Sequence, residues 1–250
     1  MGERFEFHHL SRYDGVVHGV TKKVTTQHLQ GSLALHTGEP PSLVYANRKK
    51  LSLLYPSMVW VMAEQTHSDS IFVVENREGY GWLPHEPLIA SSDALITNQK
   101  GVMLSVLTAD CVPVLLYDPS CEAIGVVHAG WRGTAQEIVL KTVKRMQEKY
   151  GCLPEEIIAT IAPSILSCCY EVDTSVAQHF FAYPHTMQKK EEKYWLDLAL
   201  VNESQLLKAG LKGENIEQSK LCTSCCVDHF FSYRKEQGCS GRFMSFIGLI

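Results

Sequence analysis

Apolar positions gather into short runs of strand length rather than long amphipathic stretches. Residues 102–107, 112–117 and 123–127 are near-continuous, β-branched-rich runs, which predicts strands buried on both faces. Asp118-Pro119 marks the turn between the last two. Further strands are expected at 5–8, 16–20, 58–62, 71–74, 93–97, 157–161 and 243–249. Residues 26–42 and 76–92 are rich in breakers and read as loops.

Four segments carry helical signals. Residues 44–55 place apolar side chains at 44, 51 and 54, which turns Arg48 and the lysines after it outward. Thr134-Ala-Gln-Glu137 matches a capping box. It is followed by an apolar face at 135, 138, 139, 143 and 146 and a terminating Gly151. Helices are also expected over 173–183 and over 198–209, the latter stopped by Gly210. Lys189-Lys-Glu-Glu-Lys193 reads as a solvated charge run. Strands and helices mix without strict alternation. The expected fold is α+β: packed mixed β-sheets flanked by helices, in one domain over 1–250.

Composition narrows the functional classes. Hydrophobic residues make up 45% and charged residues 20%, as in a globular protein. A net charge of -4 gives no general attraction to nucleic acid or acidic membranes. No apolar run reaches the roughly 18 residues of a membrane span. The N-terminal segment lacks an apolar signal core, so a cytoplasmic location is expected. Gly2 follows Met1, but Glu6 breaks a myristoylation pattern. Oligomeric state is left open. Nine cysteines without a signal peptide point to thiols, metal ligands or a reactive cysteine rather than a disulfide framework.

The chemistry-bearing residues lie at strand ends. His67, Cys111 and His128 each sit at or just beyond the edge of an apolar run, and ends of neighbouring strands converge in space. A catalytic zinc takes three such ligands and keeps one position open. Hydrogen-bonded histidines and a core cysteine are the plainer reading of the same residues. Gly125, Gly130 and Gly133 fit neither the dinucleotide fingerprint nor a Walker sequence. A glycine loop feeding a capped helix is nonetheless an anion cradle, with Arg132 inside it; the alternative is a tight turn with a solvated arginine. Cys222-Thr-Ser-Cys-Cys226 and the vicinal Cys168-Cys169 could together make a structural four-cysteine site. Cys121, Cys152 and Cys239 look incidental. Arg234 and Arg242 stand beside aromatics or glycine near the C-terminus.

Thr108-Ala-Asp-Cys-Val-Pro, with His128-Ala-Gly-Trp-Arg-Gly-Thr134, closely resembles the YfiH-like family, also called the laccase-domain or polyphenol-oxidase family. Asn47-Arg48, Glu64-Gln-Thr-His67, Ser92-Asp-Ala94, Cys168-Cys-Tyr-Glu-Val172, Cys222-Thr223 and Phe231-Ser-Tyr-Arg234 with Gly241-Arg242 resemble family landmarks in the same order. The likeness covers nearly the whole chain. It departs at Ser68, Ala162 and 32–35, which bear on the substrate pocket rather than on a ligand.

The resemblance implies zinc held by His67, Cys111 and His128, these same residues carrying catalysis. It implies phosphorolysis of adenosine, inosine or guanosine and methylthioadenosine, with adenosine deamination beside it. Arg48, Gln65, Asp93, Asp110, Arg132, Arg234 and Arg242 become candidate contacts to nucleoside and phosphate. Asp93 and Asp110 could also move protons or orient a ligand histidine. The family's other labels imply copper-dependent polyphenol oxidation and peptidoglycan precursor editing. Multicopper chemistry needs histidine pairs, and among 11 histidines there is no His-x-His and one adjacent pair, His8-His9. A cysteine hydrolase, with Cys111 as nucleophile and His128 as base, is the alternative of a different class.

Overall fold

A computed structural model describes residues 4–238 and 240–250. The readings for Met1-Gly-Glu3 and Cys239 fall outside those residues.

Two mixed sheets form the body. The first contains β1 (Arg4–Phe5), β2 (Val16–Thr21), β14 (Phe243–Leu249), β6 (Val102–Thr108) and β3 (Val59–Val61), in that order. The second runs β13 (Ile216–Gln218), β9 (Ile158–Ile161), β7 (Val112–Asp118), β8 (Ala123–Ala129), β5 (Ala94–Thr97) and β4 (Ile71–Val73). A small third sheet holds β10 (Glu171–Val172), β12 (Lys193–Leu196) and β11 (Met187–Lys190).

Strand alternation explains the layering. On β6, Val102, Leu104 and Val106 face the second sheet, whereas Met103 and Leu107 join Trp60, Trp82 and Phe246 on the outer side. On β7, Leu115 and Tyr117 meet the first sheet, whereas Val112, Val114 and Leu116 face helices. Those helices are α3 (Ile138–Tyr150) and α5 (Leu198–Lys208), which bury Val139, Val143, Met146, Val201 and Leu206 there. Both central sheets are covered on both sides, which is why their strands are apolar throughout. The expected α+β architecture of packed mixed sheets flanked by helices is the observed one.

Local readings diverge at three places. Helix α1 spans Pro41–Ser52, and its Arg48 points inward, 2% exposed. Its guanidinium donates to the carbonyls of Leu33, Gly81 and Trp82 and lies over the Trp82 ring. Three carbonyls and an aromatic face replace its hydration, so helical spacing alone put it on the wrong side.

The expected capping box does not form. The helix starts earlier, as α2 (Trp131–Ala135), with Gly130 as its N-cap. It breaks at Glu137, which adopts a left-handed conformation (φ 58), before α3 begins. Thr134 Oγ1 donates back to the Ala129 carbonyl instead of capping. Gln205 and Asn202 of α5 donate to Thr134, so tertiary bonds hold this short helix.

The helix expected over 173–183 shrinks to α4 (Thr174–Ala177) and a 3₁₀ turn. The 189–193 charge run is exposed at 189–192, as expected, and forms the tip of the β11–β12 hairpin. There Lys189 and Lys190 lie over the rings of Tyr194 and Trp195.

Leu115 is fully buried on central β7, between the two sheets. Leu115→Ala is expected to destabilise the protein by about 2–5 kcal/mol. Urea unfolding should read this as a lower midpoint at unchanged slope.

Candidate metal centre and active site

Pairing within the β7–β8 hairpin builds most of the site. Val112 lies opposite Ala129 and Pro113 opposite His128. Cys111, just before β7, therefore comes to rest beside His128 and Gly130. His67 arrives on the loop between β3 and β4 and adopts positive φ (61). Its Nε2 lies 3.9 Å from Cys111 Sγ, and its ring meets that of His128 edge-on at 4.9 Å between centroids. One ligand atom from each of His67, Cys111 and His128 lies within 4.8 Å of the others.

Asp93, at the start of β5, holds these parts together. Its carboxylate accepts from the backbone N–H of Thr66, His67 and Ser68 at 3.1, 3.0 and 2.7 Å and from Ser68 Oγ at 2.8 Å. It also accepts from His128 Nδ1 at 2.7 Å. That bond fixes the Nδ1–H tautomer and leaves His128 Nε2 for a metal. Burial would push the Asp93 carboxyl up, but the bond to His128 and that ring's charge, with the Ser68 donors, bring it down to about 2.

The same ring drives its neighbours. Burial opposes ionisation of Cys111, yet the charge and hydrogen bond of His128, with His67, bring the thiol down to about 6. Burial opposes protonation of His128, but Cys111 and Asp93 raise it to about 9. The cysteine is therefore a ready thiolate, the form that ligates metal.

The residues fit a zinc ion. Tetrahedral zinc with about 2.1 Å to nitrogen and 2.3 Å to sulfur separates such ligand atoms by about 3.6 Å. Gly130 supplies the room: a Cβ there would stand 2.9 Å from His67 Cδ2 and 3.2 Å from Cys111 Sγ. The carboxylate–histidine pair is the expected outer support of a metal ligand.

The three ligands open into a cavity of about 860 Å³. Of the other residues singled out in the sequence, Arg48, Gln65, Asp110, Arg132, Arg234 and Arg242 line it. Several spend their polar ends on the protein. Gln65 exchanges two 2.8 Å bonds with the Leu107 backbone. Asp110, at φ 88, accepts from Thr223 Oγ1 and from the Arg234 backbone N–H. Arg48 is committed to carbonyls, as described above. Asp93 supports the ligands from behind and does not line the cavity.

Among the arginines, Arg132 is exposed and stacks on Trp131 at 4.2 Å. Arg234 donates to the Glu171 carbonyl and lies over Tyr170. Arg242 donates to Ser240 and Gly241. The glycine loop leads into a helix of only five residues, so the long helix dipole expected behind an anion cradle is not there.

Sequence reasoning missed His36, Tyr170 and Tyr233, which also line the cavity. Burial, with the charges of Arg242 and Arg48, holds His36 below the usual histidine range. Burial, with the nearby Cys111, pushes Tyr170 up to about 12 and keeps its hydroxyl protonated. They come from three separate loops, and no spacing in the chain marks them. Cys121 and Cys152, read as incidental, gather with the buried Asp118 within 4.8 Å.

Two outcomes follow from this geometry. Gly130→Ala should displace His67 and Cys111 and weaken zinc binding at least tenfold while far-UV circular dichroism is unchanged; a competitive chelator titration reads it. Asp93 is depressed from 3.8 to about 2, so its stabilisation is full above pH 4 and is lost as pH falls from about 4 to 2. Its magnitude is about 2 kcal/mol. Asp93→Asn should remove that acid-limb dependence in zinc-free protein, as followed by urea unfolding between pH 2 and 5.

The chain is similar to known proteins along most of its length. The chain is 38% identical over 223 residues to "Purine nucleoside phosphorylase YlmD" of Bacillus subtilis, covering 86% of this chain and 80% of that protein. It is 34% identical over 189 residues to "Adenosine deaminase RL5" of an unknown prokaryotic organism, covering 73% and 72%. The crystal structure of YlmD from Geobacillus stearothermophilus superposes with a TM-score of 0.89 at 34% identity, covering 95% of this chain and 93% of that one. Residues 15–250 match the family described as multi-copper polyphenol oxidoreductase laccase, and the chain belongs to that family, whose YfiH- and YlmD-type members its motifs resemble.

Proposed function

We propose that this protein is a zinc-dependent purine nucleoside phosphorylase that also deaminates adenosine. The observation that carries the reading is the convergence of His67, Cys111 and His128 on a cavity whose wall also bears Arg132, Arg234 and Arg242. About 860 Å³ is room for a nucleoside and a phosphate together. The relatives named for these two activities support the same reading.

When bound, zinc supplies a Lewis acid that polarises an oxygen nucleophile and lowers its pKa. The chain's own residues do the rest. Arg132, Arg234 and Arg242 offset phosphate charge and hold it near the ligands. Tyr170, kept protonated, is a donor for a purine nitrogen or for the departing base. Trp131 and Tyr233 offer flat apolar faces for the base. Phosphorolysis attacks the glycosidic carbon C1′, whereas deamination attacks purine C6 on the far side of the base. One nucleophile position therefore serves both through two substrate poses. Adenosine, inosine or guanosine and methylthioadenosine are the proposed substrates, and the chain acts as one domain in the cytoplasm without nucleic acid or membrane.

The donor set favours zinc over the copper of the family's description. Among the described residues, no candidate group draws together more than two histidines, whereas a three-copper cluster needs histidine pairs.

One observation favours a second reading. Asp93, His128 and Cys111 stand in the order of a cysteine hydrolase triad, with the thiol down at about 6. A zinc-bound thiolate is not a free nucleophile, so the two readings exclude each other at Cys111. Rapid alkylation of Cys111 in metal-free, active protein would favour the hydrolase.

Chromatography of adenosine, inosine and methylthioadenosine incubated with zinc-loaded protein tests the proposal. Phosphate-dependent free base and phosphate-independent inosine from adenosine are the expected products. Cys111→Ala should lose both products, by at least 100-fold, together with the zinc of this centre. Absence of either product from the wild-type protein sinks the corresponding activity.

A further inference from the structure

We propose that Cys168, Cys169, Cys222 and Cys225 form a second zinc site, a closed four-thiolate centre that clasps the two loops carrying Tyr170 and Arg234 to the cavity wall. All four Sγ atoms lie within 4.8 Å of one another. Cys225 Sγ is 3.7 Å from Cys168 Sγ and 3.5 Å from Cys169 Sγ. A disulfide needs about 2.0 Å, and these sulfurs are far outside it. Zinc bound tetrahedrally at about 2.3 Å to each sulfur separates the sulfurs by about 3.8 Å. The observed separations are close to the edges of that tetrahedron.

Backbone pairing places the sulfurs. Ser164 and Cys222 form a parallel bridge, with Ser164 N–H donating to Leu221 and Thr223 N–H to Ser164. A turn closed by the Cys226 N–H on the Cys222 carbonyl brings Cys222 and Cys225 together. A second turn, closed by the N–H groups of Cys169 and Tyr170 on the Leu166 carbonyl, presents the vicinal pair opposite. Cys226 is excluded: it packs against the apolar cluster between the sheets. Arg234, donating to the carbonyls of Cys169 and Glu171, sets a cation beside a centre that would carry net negative charge.

The location explains the use. Between β13 and β14, residues 219–242 hold no strand or helix among the described residues. A segment of that length without regular structure needs another restraint, and four protein ligands with no open position make a structural rather than a catalytic zinc site. The clasp ties residues 222–225 to 168–169, immediately before Tyr170 and nine positions before Arg234. The site is independent of the His67–Cys111–His128 centre, since the two sets share no residue.

Zinc counting by plasma mass spectrometry, on protein purified from zinc-supplemented medium, tests this. Wild type should hold two zinc ions per chain, and Cys111→Ala and Cys168→Ser/Cys225→Ser one each. Cobalt-exchanged Cys111→Ala should show the intense thiolate-to-metal absorption of a four-sulfur site. Should the double variant fail to fold, the count and spectrum of Cys111→Ala decide alone. Only one zinc in wild type, retained in full by Cys111→Ala, would overturn the active-site metal and support the clasp. A Cys111→Ala protein without zinc, or a disulfide among the four in wild type, overturns the clasp.

Discussion

The site depends on one buried carboxylate. Asp93 gathers three consecutive backbone N–H groups of the 66–68 loop and the imidazole of His128. A short loop with positive φ at His67 would otherwise leave those N–H groups unpaired as it crosses from one sheet to the other. The same carboxylate holds the Nδ1–H of His128, and Cys111 and Asp93 together favour the ring's charged form, which in turn favours the Cys111 thiolate. Loop geometry and ligand chemistry thus share one anchor. Asp110 repeats the device on the far side of Cys111, where it accepts from Thr223 and Arg234.

The central strands were legible because both faces of β6, β7 and β8 are covered, and a doubly buried strand writes itself as a continuous apolar run. The three ligands were legible as residue types at strand ends, but their convergence was not: it depends on the opposition of Pro113 and His128 and on the route of the 62–70 loop. Arg48 was read outward because helical periodicity counts hydrophobicity, not the carbonyls of Leu33, Gly81 and Trp82 that wait for its guanidinium. The capping-box motif at Thr134 gave way to a tertiary bond from Gln205. The motif spacing was right; a helix 70 residues downstream decided otherwise. The β10–β12 sheet escaped because its hairpin turn is charged and its partners are short.

The cavity wall shows a division of labour that the chain does not announce. Polar residues with fixed partners, such as Gln65, Asp110 and Arg48, give the cavity its shape. Residues from segments far apart in sequence, His36, Tyr170, Arg132 and Tyr233, face the space within. The second kind is where relatives of one fold can come to prefer different nucleosides.

Gln65 carries a consequence of its own. Its amide bonds both the N–H and the carbonyl of Leu107 in the first sheet, two residues before His67. The backbone of His67 itself is tied to Asp93, at the start of β5 in the second sheet. The loop is therefore pinned to both layers of the sandwich within three residues. Any sliding of one layer against the other is taken up in the backbone between Gln65 and His67, the stretch that carries the His67 imidazole.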